Sequence, residues 1–278
     1  MLLGDYTLDI ISGGSFRLDG GSMFGIIPKP LWERERPADE RNRIRMAANC
    51  PLFRGRGEAL LIDAGNGTKL DPREQDIFAL DPGVTLTGSL AAAGVHPGDV
   101  TTVLFTHLHM DHCGGGTIAR EDGQIVPTFP NARYCVQRQE WEDALTNRST
   151  MRVSYRPENL LPLQESGQLE LLDGDTALAP GIRALVTGGH TRAHQIAIIE
   201  SGAAPTICFG DLVPMTSHLR GHYLMAYDLY PYDTMQRKMP LIAEAAREGW
   251  TVVWGHDPDL PVGRIVEREG RYVAVALE

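Results

Sequence analysis

The sequence predicts an α/β (α+β) fold laid down as a single domain over residues 1–278, and three observations predict it. Short apolar or alternating runs outnumber the helical patterns, and the helices interrupt the strands instead of gathering in one half of the chain. No internal period and no linker of changed composition divides the sequence. The residues with the most obvious chemistry each fall just past a strand-like run, which is where sheet-based domains build their sites. With 278 residues and 42% hydrophobic composition the chain can bury a large core.

Taken in order, residues 7–11 and 13–18 read as two short strands, followed by the turn pair Gly20-Gly21. The Pro- and charge-rich stretch over 28–42 has no periodicity and reads as a functional lid. Strands are expected at 49–53 and 58–63, the second closed by Ala64-Gly65-Asn66-Gly67. A helix over 87–93 stops at Gly94, and 100–105 is an apolar strand. Residues 132–137 form a strand and 139–146 a helix, and Leu160-Leu161-Pro162-Leu163 leads into strands near 169–172 and 182–186. Strands at 195–200 and 206–209 precede a long loop over 212–232, a helix over 234–248 and a strand at 251–254, with short closing strands near 264–267 and 272–276.

The formal net charge of −10 disfavours a phosphate backbone or an anionic membrane surface as partner and favours a small-molecule substrate, with no nucleic acid and no membrane. The start Met1-Leu2-Leu3-Gly4-Asp5 has no basic segment followed by an apolar one, and no run is long enough to span a bilayer. A cytoplasmic protein is expected, and a homodimer is compatible with it. The four cysteines, Cys50, Cys113, Cys135 and Cys208, are too scattered for a disulfide framework or a thiolate zinc site. Packing roles are expected for them, with Cys113 notable because it follows His112 directly.

The hexapeptide His107-Leu108-His109-Met110-Asp111-His112 follows the apolar run Val103-Leu104-Phe105. Residues i and i+2 of a strand share a face, so His107 and His109 can aim at one point, with Asp111 and His112 facing a second point close by. Neutral imidazole and carboxylate are the usual ligands of a borderline cation such as zinc when thiolates are absent. Downstream partners with Gly-flanked settings are His190, Asp211 and His256, with Asp257 as a spare that should point the other way. Gly114-Gly115-Gly116 lets the backbone pass close to such a centre.

With these motifs the chain resembles the metallo-β-lactamase superfamily from Asp63 to His256. The resemblance implies a four-layer αββα metallo-β-lactamase sandwich and two divalent metal ions, with Zn2+ first and Mn, Fe or Co as alternatives. It implies that His107, His109 and His190 bind one ion, that Asp111, His112 and His256 bind the other, and that Asp211 bridges them. Asp63, in Leu61-Ile62-Asp63-Ala64-Gly65, matches the first motif of the family as a supporting carboxylate. Asp211 stands where the zinc β-lactamases carry cysteine, and His109 where flavodiiron proteins carry glutamate. Only 22 residues follow His256, too few for the helical segment of a glyoxalase II. The remaining resemblance is to the branch of N-acyl homoserine lactone lactonases and methyl parathion hydrolase-like enzymes, carried by the hexapeptide, by Gly189-His190-Thr191 with His194-Gln195, by Gly255-His256 and by the segment from Leu18 to Trp32.

The activity this implies is a dinuclear metal-dependent hydrolase opening a lactone or cleaving a related ester, the alternatives being a phosphotriester or phosphodiester hydrolase and a non-catalytic metal-binding protein. Two divalent ions about 3.5 to 4 Å apart would acidify a shared water and polarise the electrophile, so no serine nucleophile is needed. Asp211 would orient the attacking oxygen and pass a proton to the leaving group. From the loop over 212–232, His218, Tyr223 and Tyr227 are candidates to stabilise the oxyanion, each weighed against an ordinary packing or backbone-bonded role. His96 and His194 read as structural, His194 with a supporting place behind the ligands. Met23, Phe24, Ile26 and Trp32 are candidates for an apolar acyl pocket.

Overall fold

The computed structural model describes residues 1–146 and 152–277. Its first strands are β1 (Leu2–Leu3), β2 (Tyr6–Asp19), β3 (Arg43–Gly55), β4 (Glu58–Ile62), β5 (Thr102–Leu104), β6 (Thr117–Ala119), β7 (Ile125–Pro127), β8 (Arg133–Gln137) and β9 (Leu169–Leu172). β6 and β7 form a small hairpin, and the other seven make one sheet in the order β1-β2-β3-β4-β5-β8-β9. β10 (Thr176–Ala179), β11 (Ile182–Val186), β12 (Gln195–Ile199), β13 (Thr206–Cys208), β14 (Thr251–Val253), β15 (Val262–Arg268) and β16 (Arg271–Val275) make the second sheet in sequence order. The helices are α1 (Gly20–Phe24), α2 (Lys29–Trp32), α3 (Pro72–Phe78), α4 (Leu86–Ala92), α5 (Met110–Cys113), α6 (Arg138–Thr146), α7 (Pro157–Glu165) and α8 (Pro231–Glu248).

Strand periodicity creates the layers. In β4, Leu60 and Ile62 face the second sheet, while Ala59 and Leu61 face the helices. In β12, Ala197 and Ile199 face the first sheet, while Ile196 and Ile198 face away from it. Strands covered on both faces read as continuous apolar runs, as these do. The core between the sheets joins Phe53, Leu60 and Leu104 to Ile182, Ala197 and Val253. Outside the first sheet, Leu90 of α4, Trp141 of α6 and Leu160 of α7 close a second core. Ile242 and Ala245 of α8 pack on Ile207 and Val252 outside the second sheet. The result is a helix, sheet, sheet, helix sandwich, the predicted four-layer fold. α8 has Pro231 in its first turn and a left-handed Gly249 at its end, the usual asymmetry of helix boundaries.

Some local expectations differ. The two strands expected at 7–11 and 13–18 are one 14-residue strand, interrupted by a register shift between Ser12 and Ser15. Gly13 and Gly65 make that bend possible, because a Cβ on Gly65 (φ +68°) would lie 2.3 Å from the Gly13 oxygen. β3 begins at Arg43, six residues before the expected strand, because its first half pairs with the outer end of β2. Gly20-Gly21 opens α1, capped by Asp19, where a turn was expected. Residues 157–165 form α7 instead of leading directly into a strand, with Pro157 in the first turn. The 28–42 stretch includes α2 and is fastened by Arg36 to Asp257 and Asp259.

Candidate metal centre

Five strand ends meet at one edge of the sandwich. β4 and β5 run parallel and end just before Asp63 and the His107-His109 turn. β13 and β14 run parallel and end before Asp211 and His256. β11 and β13 both lie antiparallel to β12, so the end of β11, which leads to His190, opens on the same edge. Asp111 and His112 lie on α5, a single turn that swings both side chains back toward this edge.

Here seven side chains converge. His109 Nδ1 lies 3.0 Å from His107 Nε2 and 3.1 Å from His190 Nε2. His112 Nε2 and His256 Nε2 are 3.0 Å apart, with Asp111 Oδ2 at 3.9 and 3.7 Å from them. Asp211 spans the two groups, with Oδ1 3.0 Å from His256 Nε2 and Oδ2 3.3 Å from His190 Nε2. His107-His109-His190 and Asp111-His112-His256 are both close enough to share one cation each, and His107-His112-Asp211 joins them.

The outer nitrogens show what the inner ones can do. His112 Nδ1 lies 2.8 Å from Asp63 Oδ2, His190 Nδ1 3.0 Å from Asp228 Oδ1, and His256 Nδ1 2.8 Å from the Ala47 oxygen. His107 Nδ1 lies 3.1 Å from Thr106 Oγ1. An N–H directed at each of these acceptors leaves the Nε2 lone pair facing inward. Lone pairs at 3.0 Å from one another repel unless a cation sits among them, and Asp211 Oδ1 is buried without a hydrogen-bond donor. The donor set therefore fits two divalent cations.

Electrostatics divide the imidazoles of the cluster into two kinds. Burial holds His107 and His109 well below the ordinary histidine pKa, and the neighbouring imidazoles push the same way. For His112 burial acts downward as well, but Asp211, Asp63 and Asp111 outweigh it and raise the group. Burial raises the Asp211 carboxyl, yet the surrounding imidazoles, His112 and His256 first, draw it well below the usual carboxylate range.

A cleft of about 310 Å³ opens over the centre. Asp111, His109, His190, Asp211 and His256 form its floor, and Phe16, Leu18, Met23, Ile77, Phe78 and Met225 form mostly apolar walls. Tyr227 lines it, half-buried, and burial raises its phenol while a hydrogen bond with Ser22 lowers it. His218 and Tyr223 take other places. His218 Nε2 lies 2.8 Å from the Met23 oxygen and its ring stacks on Phe24, so it braces α1 and does not line the cleft. Tyr223 is buried in the cluster around Phe24, with its hydroxyl bonded to Arg220. Both are drawn away because α1 and this loop form an apolar unit of their own. Of the acyl-pocket candidates only Met23 reaches the cleft; Phe24 and Trp32 stack on each other, and Ile26 is 85% exposed.

Asp257 points away from the centre, to Arg36 and Thr216. Cys113 is buried with its thiol 3.3 Å from the Leu108 oxygen, a packing role. His194 accepts the Asp211 N–H at Nε2, 3.1 Å, and its Nδ1 lies 2.8 Å from Thr187 Oγ1. His96 caps the turn at Pro97–Asp99. Three participants had no signal in the chain: Asp228, Thr106, which donates to Asp63 at 2.9 Å, and Glu140, fully buried behind the cluster. Asp228 and Glu140 meet the centre only in three dimensions, whereas Thr106 adjoins His107 and its part depends on Asp63 arriving from β4.

A four-layer sandwich that gathers imidazoles and carboxylates for a pair of divalent cations at its strand ends defines a class of metal-dependent hydrolases. The chain belongs to the metallo-beta-lactamase superfamily, which matches residues 43–256. Among its relatives is the N-acyl homoserine lactonase AttM of Agrobacterium fabrum, 28% identical over 217 residues, covering 72% of this chain and 77% of that protein. A probable metal-dependent hydrolase from Staphylococcus aureus superposes with a TM-score of 0.90 at 30% identity, with full coverage of both chains. AidC, a dizinc quorum-quenching lactonase in complex with a product, shares the fold with a TM-score of 0.79 at 19% identity, covering 100% of this chain and 96% of that one. Among the described residues no helix is long and apolar enough to cross a membrane.

Proposed function

We propose that this protein opens the ring of an N-acyl homoserine lactone or a closely related lactone at a dinuclear zinc centre. The observation that carries the reading is Asp211, whose two oxygens face two separate imidazole groups at the foot of a mostly apolar cleft. His107, His109 and His190 would hold one ion, Asp111, His112 and His256 the other, and Asp211 both. When bound, such ions supply Lewis acidity toward an ester carbonyl and acidify a water between them.

The chain's own groups do the rest. Asp211 orients the attacking water from its fixed place between the two halves. The Tyr227 hydroxyl, kept protonated by a raised pKa, donates to the carbonyl oxygen as charge develops on it. The walls at Met23, Phe78 and Met225 receive an acyl chain and exclude water. The relatives named as lactonases support this choice of substrate. The four free, buried cysteines suit a reducing compartment, and we assign the protein to the cytoplasm.

Proton release on mixing zinc-loaded protein with N-hexanoyl and N-decanoyl homoserine lactone tests the reading. Turnover of both is expected; no release, alongside hydrolysis of nitrophenyl phosphotriesters, would move the protein to phosphoester chemistry.

A further inference from the structure

His107, His109 and His190 come from two segments far apart in sequence, and a single carboxylate touches both. Glu140 lies on α6 and is fully buried. Its Oε1 accepts the backbone N–H of Leu108, the residue between His107 and His109, at 3.1 Å. The same oxygen accepts the Tyr155 hydroxyl at 3.3 Å, and the Tyr155 ring packs on His109 with centroids 5.1 Å apart. Its Oε2 accepts the hydroxyl of Thr191, the residue after His190, at 2.6 Å. Among the described residues no lysine or arginine pairs with it, and burying a carboxylate without such a partner is costly.

We propose that Glu140 is a positioning residue of the three-histidine half of the centre, fixing the distance between the His107-His109 turn and the His190 loop through its two oxygens. The proposal rests on the dinuclear reading of the site. Among the described residues Glu140 is hydrogen-bonded to Leu108, Tyr155 and Thr191 and to no residue of α5 or the loop of His256, and the other half has its own carboxylate in Asp63, bonded to His112 and Thr106. Loss of Glu140 therefore acts on one half selectively.

Metal-stripped full-length protein, titrated with Zn2+ against a chromophoric chelator, gives the two binding constants, and reloading with Co2+ gives a visible spectrum of the ligand field. E140A is expected to weaken one site about 10- to 100-fold, as loss of a ligand-orienting partner does elsewhere, and to leave the other near wild type. E140Q keeps an acceptor for Leu108 and can donate to Thr191 Oγ1, so it should restore both the constant and the Co2+ spectrum. Should E140A fail to fold, T191V removes only one of the clamps and is expected to weaken the same site. Equal weakening of both sites, unchanged constants in E140A or T191V, or an E140Q as impaired as E140A would overturn the proposal. Wild-type protein that takes up fewer than two ions would instead overturn the dinuclear reading beneath it.

Discussion

Asp228 Oδ1 stands 3.0 Å from Nδ1 of His190, and the other oxygen of the same carboxylate accepts the Met225 N–H at 3.0 Å. One buried group thus orients His190, a candidate ligand on the floor of the cleft, and pins the loop that forms a wall, the loop that also carries Tyr227. D228A should lower zinc affinity about 10- to 100-fold, because the His190 imidazole loses the acceptor that fixes its tautomer. Competition with a chelator reads this directly, and an unchanged affinity would show that the packing around His190 suffices.

Tyr227 and Tyr223 should separate cleanly. Y227F is expected to reduce kcat by about 100-fold, the scale of losing one oxyanion donor. Y223F removes a hydroxyl that accepts from Arg220 at the side of the cluster around Phe24 and should leave kcat alone. Steady-state kinetics on one lactone decides between them; equal kcat values for the two variants would remove Tyr227 from the chemistry.

The bend in β2 depends on a close backbone approach. G65A places a Cβ 2.3 Å from the Gly13 oxygen at a φ of +68°, so both strain and collision act against it. Denaturant unfolding should show a loss of roughly 2 kcal/mol or more. A variant as stable as the parent would mean that β2 relaxes around the added methyl.

Lys238 provides a test by pH. It is buried at 1% exposure, its ammonium donates to the His218 and Tyr223 oxygens, and burial pulls its pKa from 10.5 to about 8 despite Asp228 nearby. Between those values the unfolded chain holds a proton that the folded one has shed, so stability rises with pH there; below pH 8 both forms are protonated and the cost is fully present. Subtracting the K238M stability curve from that of the wild type should leave a rise of up to about 3 kcal/mol from pH 8 to 10. Parallel curves would contradict the shift.

The convergence of the candidate ligands was legible because their chemistry is written locally. Strand alternation aims His107 and His109 together, and glycine-flanked positions after β11, β13 and β14 mark His190, Asp211 and His256. The layers were legible for the same reason: β4, β12 and β14 are apolar on both faces. What escaped depended on distant contacts. The join of two strands into β2 is made by Gly65 packing on Gly13 from another loop, and α7 reads as an apolar run because Leu160 and Leu163 face a core while Pro162 interrupts the helical pattern. Asp228 and Glu140 are ordinary acidic residues in sequence, and only the fold turns them toward His190 and Leu108. The place of His218 likewise depends on a distant segment, because α1 supplies the Met23 oxygen to which its ring bonds.

The number of metal equivalents per chain, measured by elemental analysis on the same samples assayed for lactone opening, tests the central claim most directly. The account predicts that activity rises with metal and reaches its plateau at two equivalents in the wild type, while D211A holds fewer and is inactive. Full activity in protein stripped of metal, or a plateau at two equivalents in D211A, would contradict it.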